Sequence, residues 1–458
     1  MKKAGVDHSV APSWDGPPVA VLWDQSLVWG LLCIDTLSKL GVPFQLLSAP
    51  QICQDILEGF QVLLVPGGWA AHKVRVLGET GRVKIAKFID EGGSYLGFCG
   101  GAGLALSSPP ALYLTPIRRM PMPERLPSAS GEIYVSGTLS HPAWKDIDPE
   151  IPVSIWWPSQ FRLEPGCKAT RLAAYSVPGA GFQVADLRVC DVDQCDRWGE
   201  LEKAYGINLD PARIKGHPAI IEIERGKGRL ILSYAHLETP GDIRGNRLFF
   251  NILNYLNDAS ENSNPGRTSR ARPQVSERRP EAGDQRPGIF TPSTGACFPA
   301  PGVSTAKQAA ADLIAFGEAN LLWSWRKPWL LNWRRGIRGL EYGSLYVMLS
   351  NMANLEQRSA SLQGQELRQA IHAPGWSMMA NELEEKTLEF CGLAKRLLFE
   401  EKIATRTGTV SKLGKVNERV DPLRSALFGN RMNHGGLCSA LFDLIDRMLL
   451  DLIRAAGR

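Results

Sequence analysis

Gly92-Gly93-Ser94-Tyr95-Leu96-Gly97-Phe98-Cys99-Gly100-Gly101-Ala102-Gly103 is the stretch on which the reading of the fold turns. A short apolar strand runs into Gly-x-Cys-x-Gly, and small residues then begin a helix. A side chain on so tight a strand-to-helix turn stands above the sheet edge, and the turn is open only where the flanking residues lack side chains. Gly97 and Gly101 meet that condition, which makes Cys99 the candidate nucleophile. A helix N-terminus beside the sulfur favours its thiolate. A buried cysteine next to a glycine-rich turn is the competing reading, and the surrounding sequence decides between them.

Two other segments bear on that choice. Val62 to Val65 reads as a buried parallel strand and closes on Pro66-Gly67-Gly68-Trp69, where backbone N–H groups can help hold an oxyanion. Far downstream, Gly228 to Ala235 reads as another strand, and His236-Leu237-Glu238 stands at its end. Residues i and i+2 just past a strand can turn an imidazole toward the thiol and place a carboxylate nearby to orient it.

Together the Pro-Gly-Gly turn, the Gly-Phe-Cys-Gly-Gly elbow and the terminal His-Leu-Glu resemble a class I glutamine amidotransferase-like domain, in the branch found at the N-terminus of biotin-protein ligases. The resemblance spans about Pro18 to Asp258. It implies a flavodoxin-like parallel sheet and an amidase or amidotransferase that attacks a small amide through a thioester. Cys99 would be the nucleophile, His236 the proton shuttle and Glu238 its orienting partner, with oxyanion donors around Gly67, Gly68 and Gly100. The chain departs from the family at Gly103, where many glutaminase elbows carry glutamine, and no Gly-Arg-Gly-Arg-type adenylate loop follows. The substrate and any link to biotin therefore stay open.

Strands and helices alternate from Pro18 onward: Val19–Trp23, helix Ser26–Leu40, Phe44–Leu47, helix Gln51–Gly59, Val62–Val65, helix Val83–Glu91 and Ser94–Phe98. Such alternation through short loops predicts an α/β fold, a parallel sheet covered on both faces, with ligands at the carboxyl ends of its strands. All three motifs lie at such ends. Asp24 either faces that crevice or caps the first helix. Trp69, Gly101 and His72 are candidate pocket residues, with exposed loop anchoring open for Trp69 and His72. Beyond the elbow, dense prolines from Pro109 to Pro127 block helix and central strand, and Arg118, Arg119 and Arg125 there can receive an anion or form a solvated face. Strands at Ile133–Val135, Val153–Trp157 and Ile220–Ile223 make a β-rich extension, in which Trp156 and Trp157 are read as packed.

A chain of 458 residues holds more than one domain, and its net charge of +5 is too mild to imply a nucleic-acid partner. Nine scattered cysteines suit a reducing compartment better than a disulfide framework. Lys2 and Lys3 precede no apolar segment, so no signal peptide is expected and the expected location is the cytoplasm. Cys190 and Cys195 have no matching pair at finger spacing, and neither a metal nor a cofactor is expected.

Residues 259–303 are poor in apolar side chains, which predicts a flexible linker after the α/β domain at 18–258. Residues 304–458 turn to helical periodicity, in Thr305–Trp325, Leu340–Ile371, Trp376–Ile403 and Leu437–Ile453, which predicts an all-α bundle. Between its first two helices, Trp323, Trp325, Trp329 and Trp333 interleave with Arg326, Lys327, Arg334 and Arg335. That run reads as a buried latch between helices, as a foot docking a protein partner or membrane surface, or, least favoured, as a surface that stacks on nucleic acid. Two functions are thus in view: a Cys-His-Glu enzyme, or a ligand-binding or regulatory module whose bundle docks a partner.

Overall fold

The computed structural model describes residues 14–193, 197–263, 301–359, 365–408, 414–429 and 435–457. They fall into two compact units, one of residues 14–22, 29–184 and 188–263, the other of 23–28, 185–187 and 301–457.

In the first unit the strands β1 (Val19–Leu22), β2 (Phe44–Leu47), β3 (Val62–Val65) and β4 (Ser94–Phe98) alternate with α1 (Leu27–Lys39), α2 (Ala49–Ile52), α3 (Ala70–Asp90) and α4 (Gly100–Ala105). β1 pairs with β2 and β3, and β3 with β4, all in parallel. Parallel strands need crossovers, the crossovers cover both faces, and the strands accordingly read as unbroken apolar runs. Alternate residues serve each face. Ala20, Leu22, Leu63, Val65 and Tyr95 join one buried cluster with Ile85, Phe88 and Ile89 of α3 and Leu104 of α4. On the other face Phe98 meets Phe249 edge-on at 5.2 Å, and the Ser94 hydroxyl donates to the Leu256 carbonyl at 3.1 Å.

After α4 come β5 (Arg118–Arg119), β6 (Ala129–Gly137), β7 (Glu150–Trp156), β8 (Phe161–Arg162), β9 (Ala169–Pro178), β10 (Gln183–Val184) and β11 (Leu187–Arg188). The short helices α5 (Val189–Val192) and α6 (Trp198–Tyr205) lead to β12 (Pro218–Arg225), β13 (Gly228–Ser233) and α7 (Ile243–Ser263). β13 is parallel to β4 and antiparallel to β12, so it is the seam between the parallel sheet and the expected β-rich extension. One sheet results, in the order β11-β10-β6-β9-β12-β13-β4-β3-β1-β2, with β7 on β6.

The helix expected over Val83–Glu91 begins earlier, at Ala70, and breaks at Gly78, whose φ of 58° is not helical. Gly78 and Gly81 interrupt the apolar period there, which hid the first half of the helix. α7 continues to Ser263 and the next helix starts at Pro301, so both enter the span expected as linker; residues 264–300 lie outside the described residues.

The second unit contains α8 (Pro301–Ala319), α9 (Gly339–Arg358), α10 (Gln365–Ile371), α11 (Trp376–Ala404), α12 (Val420–Phe428) and α13 (Gly436–Ala455). Leu313, Leu345, Met348, Leu383, Leu397 and Leu449 are buried in it, and Tyr342, Phe390 and Phe428 meet at centroid separations of 5.8–6.1 Å. The expected helical architecture holds, with three differences. The segment expected over Leu340–Ile371 is two helices, α9 ending at Arg358 and α10 beginning at Gln365. α12 has only nine residues, too few for a periodic signal. The tryptophan-rich run is an antiparallel hairpin of β14 (Trp323–Lys327) and β15 (Leu330–Trp333), where a helix end through Trp325 was expected. Pro328 sits in its turn, and aromatic residues favour the pleated surface. The Trp323 indole donates to the Ile314 carbonyl at 3.1 Å and lies against Gly317, where a Cβ would stand 2.0 Å from the ring. Trp323 and Trp329 are buried, and Trp325 meets Tyr346 at 5.8 Å. No described helix is long and apolar enough to cross a membrane.

Candidate active site

Cys99 occupies the residue between β4 and α4, with φ 47° and ψ −104°. A non-glycine residue in that region carries a strain of about 1–3 kcal/mol, and the surrounding chain must hold it there. The Cys99 N–H donates to the Ser233 carbonyl at the end of β13 at 2.8 Å, and its own carbonyl accepts from the Gly103 N–H at 2.9 Å. The end of β13 and the first turn of α4 thus fix the elbow. Close approach of two backbones explains the glycines: a Cβ at Gly100 would stand 1.9 Å from the Gly68 carbonyl oxygen, and one at Gly101 would stand 2.0 Å from that of Val65. The elbow and the Pro-Gly-Gly turn, 32 residues apart by number between Gly68 and Gly100, are therefore in direct backbone contact. No described group accepts a hydrogen bond from the Gly68 or the Gly100 N–H.

The chain leaving β13 carries the other two residues. His236 and Glu238 are both fully buried, and the ring Nδ1 lies 2.7 Å from Glu238 Oε1. The loop that presents them is held at several points. The His236 N–H donates to the Ser154 carbonyl of β7 at 2.8 Å, the Thr36 hydroxyl of α1 donates to the Glu238 carbonyl at 2.8 Å, and the Asn246 amide of α7 donates to the Leu237 carbonyl at 2.7 Å. Burial disfavours a charged imidazole, but the Glu238 carboxylate and then Cys99, through hydrogen bonding and charge, more than offset it and push His236 up to about 10. Nε2 is buried on the side of the ring away from the Glu238 bond, and Cys99 is the group acting on the ring from outside that pair. The ring is thus oriented from Nδ1 and influenced by the sulfur, the arrangement that general acid–base work on a cysteine requires.

Sequence reasoning missed the residue behind the imidazole. Trp29 of α1 stacks on His236 with centroids 4.7 Å apart, and a Cβ at Gly67 would stand 2.9 Å from the same indole. Gly67 therefore makes room for Trp29, which in turn backs His236. A tryptophan inside an apolar helix gives no local signal of such a role. On the other side of the sulfur, the Trp156 carbonyl lies 4.0 Å from Cys99 Sγ, and Trp157 adopts a φ of 51°. The expectation of packing holds for Trp156, which is buried, while Trp157 is half-buried.

Trp69 directly follows the Gly67-Gly68 turn. It precedes α3, and its carbonyl accepts from the N–H groups of His72 and Lys73, which starts that helix. His72 is buried, its Nδ1 3.5 Å from Arg75. Asp24 belongs to the second unit, where its charge acts on Arg454. Cys195 lies outside the described residues, and no group of metal-binding side chains occurs among those described.

Fold and site together define an α/β domain with a parallel sheet, helices on both faces and a cysteine elbow at a strand end. Residues 56–108 match the family model described as biotin-protein ligase, N terminal, a span that holds β3, the Gly67-Gly68 turn, β4 and Cys99. Similar solved structures include a Thermoplasma acidophilum protein described as part of a GMP synthase, 15% identical over 54% of this chain and 96% of that one, with a TM-score of 0.35. PurLQS from Thermotoga maritima is 14% identical over 53% and 99% of the respective chains, with a TM-score of 0.36. A glutamine amidotransferase from the same organism is 13% identical over 56% and 93%, with a TM-score of 0.33. A search of curated proteins gave no match.

Proposed function

We propose that the first unit is a cysteine amidase or amidotransferase acting on a small amide through a thioester. The observation that carries this reading is the buried His236–Glu238 pair at 2.7 Å beside the strained elbow of Cys99. An imidazole held charged by a carboxylate and placed in reach of a thiol is the arrangement of a nucleophile with its acid–base partner.

In the reaction the Cys99 sulfur attacks the amide carbonyl, a C–S bond forms, and the carbonyl oxygen takes the negative charge. The N–H groups of Gly68 and Gly100, which donate to no described group, supply hydrogen bonds to that oxyanion. His236, protonated at neutral pH, gives its proton to the departing nitrogen, the C–N bond breaks, and ammonia and a thioester result. His236 then takes a proton from water, which attacks the thioester and releases a carboxylic acid and the free sulfur. Glu238 holds the ring and stabilises its positive charge throughout, and Trp29 keeps it from turning away.

Ammonia release from a panel of small amides, compared between the parent and Cys99→Ala, tests the reading. Release that depends on Cys99 supports it; release at the same rate in both proteins, or none from any amide, contradicts it.

A further inference from the structure

We propose that the amide taken by this site is anionic at its far end, with a carboxylate or phosphate held by Arg119 in the space beside Cys99 that Gly103 leaves open. The inference rests on the amidase reading above and specifies its substrate class.

Gly103 lies one helical turn beyond Cys99 on the same face of α4, so a side chain there would flank the sulfur. The structure shows what takes its place. A Cβ at Gly103 would stand 3.0 Å from Arg119 Nη2 and 3.7 Å from the Tyr234 hydroxyl. The Arg119 guanidinium itself reaches the Gly103 carbonyl at 3.4 Å. A side chain at this position would press on the Arg119 guanidinium, which would have to give way. The space that Gly103 leaves beside the elbow helix is thus bordered by a cation from β5.

Arg119 is built in. Its N–H donates to the Ser108 hydroxyl at 2.9 Å, and it pairs across β5 and β8 with Phe161, whose ring lies 4.4 Å from that of Tyr234. A second half-buried guanidinium, Arg125, donates to the Ser159 hydroxyl at 2.7 Å. Burial first, and the charge of Arg119 second, hold Arg125 below the usual arginine range. Neither guanidinium pairs with a carboxylate among the described residues. Two partly desolvated cations acting on each other without a counterion favour an anion between them. The Tyr234 hydroxyl completes the wall. It is buried with no hydrogen bond drawn to it, and Arg119, Ser159 and Cys99 all act on it. One hydroxyl therefore feels both the arginine and the nucleophile. An ammonium next to the carboxylate, as in glutamine, would meet these two cations with no paired acid, so a net-anionic amide fits better than a zwitterion.

The test uses the full chain and measures how well three amides protect Cys99 from iodoacetamide: glutaramate, 3-phosphonopropanamide and the neutral glutaramide. Either anion should protect at a concentration roughly tenfold or more below that of glutaramide, as expected for a charge-assisted hydrogen bond. The more effective of the two identifies carboxylate or phosphate as the tail. Arg119→Gln should erase the preference and Arg119→Lys restore part of it. Gly103→Gln, which leaves the arginine in the sequence but takes its space, should also erase it, and unchanged circular dichroism shows that the variants fold. Equal protection by anionic and neutral amides in the parent would overturn the proposal. Ammonia release separates the two readings: equal turnover of glutaramate and glutaramide sinks the anion site alone, whereas Arg119-dependent protection without turnover of any amide sinks the amidase alone.

Discussion

His236 Nδ1 and Glu238 Oε1 lie 2.7 Å apart with both side chains wholly buried, and only Leu237 separates them along the chain. The two residues lie in the turn that follows β13, closed by the Thr239 N–H donating to the His236 carbonyl at 3.1 Å, so the pair is assembled locally and delivered as a unit just past that strand. What the fold adds is delivery to the right address, because β13 pairs in parallel with the strand that ends at Cys99.

Stability should depend on pH through this pair. The folded His236 is raised from 6.5 to about 10, so its contribution is fully present below about 6.5 and is lost as pH rises through about 10. Denaturant unfolding across that window should show stability falling with pH in the parent. The slope should flatten in Glu238→Gln, which removes the charge that offsets burial of the ring. A slope unchanged in the variant would mean that Glu238 does not hold the imidazolium.

The backbone contact between the two glycine turns should tolerate no methyl group. Gly100→Ala places a Cβ 1.9 Å from the Gly68 carbonyl oxygen, so the turns must separate. A loss of about 1–3 kcal/mol in unfolding free energy is expected, together with slower chemistry at Cys99. A variant as stable as the parent would show that the turns do not meet as described.

Trp29 should matter to the imidazole as much as to the core. Trp29→Ala empties the space between Gly67 and His236, with an expected cost of about 3–5 kcal/mol. Trp29→Phe keeps a ring behind the imidazole and should lose much less. Ring-proton chemical shifts of His236 report the stacking directly, and the same shifts in parent and Trp29→Ala would rule the contact out.

In the second unit, Trp323→Phe keeps the ring stacking on Tyr342 but removes the indole donor to Ile314. Loss of that bond should cost about 1 kcal/mol in unfolding of the full chain, more if the Ile314 carbonyl stays dry. An unchanged unfolding midpoint would place the indole outside the bundle.

Much of the site was legible because its parts are local. Gly97, Cys99 and Gly101 announce a strained turn by spacing alone, and His236 and Glu238 announce a shared face by a separation of two. The strands β2, β3 and β4 have the bounds their largely apolar runs indicate, with Gln45 and Ser94 as the polar residues among them. The rest depended on contacts between distant segments. Nothing near Gly67 tells that it makes room for Trp29, and nothing near Gly103 tells that Arg119 borders the space beside it. The hairpin of β14 and β15 was obscured because Ala- and Leu-rich α8 runs up to it, and the alternation in Trp-Ser-Trp spans too few residues to outweigh that period.

The most direct test of the account is the rate at which Cys99 is alkylated by iodoacetamide at neutral pH, followed by peptide mass spectrometry, in the parent, His236→Ala and Glu238→Gln. The account predicts that Cys99 reacts faster than the other cysteines in the parent, slows markedly in His236→Ala, and takes an intermediate rate in Glu238→Gln, where the ring keeps a partner but loses its charge. Equal Cys99 rates in all three proteins would contradict the triad and remove the ground for an enzyme at this elbow.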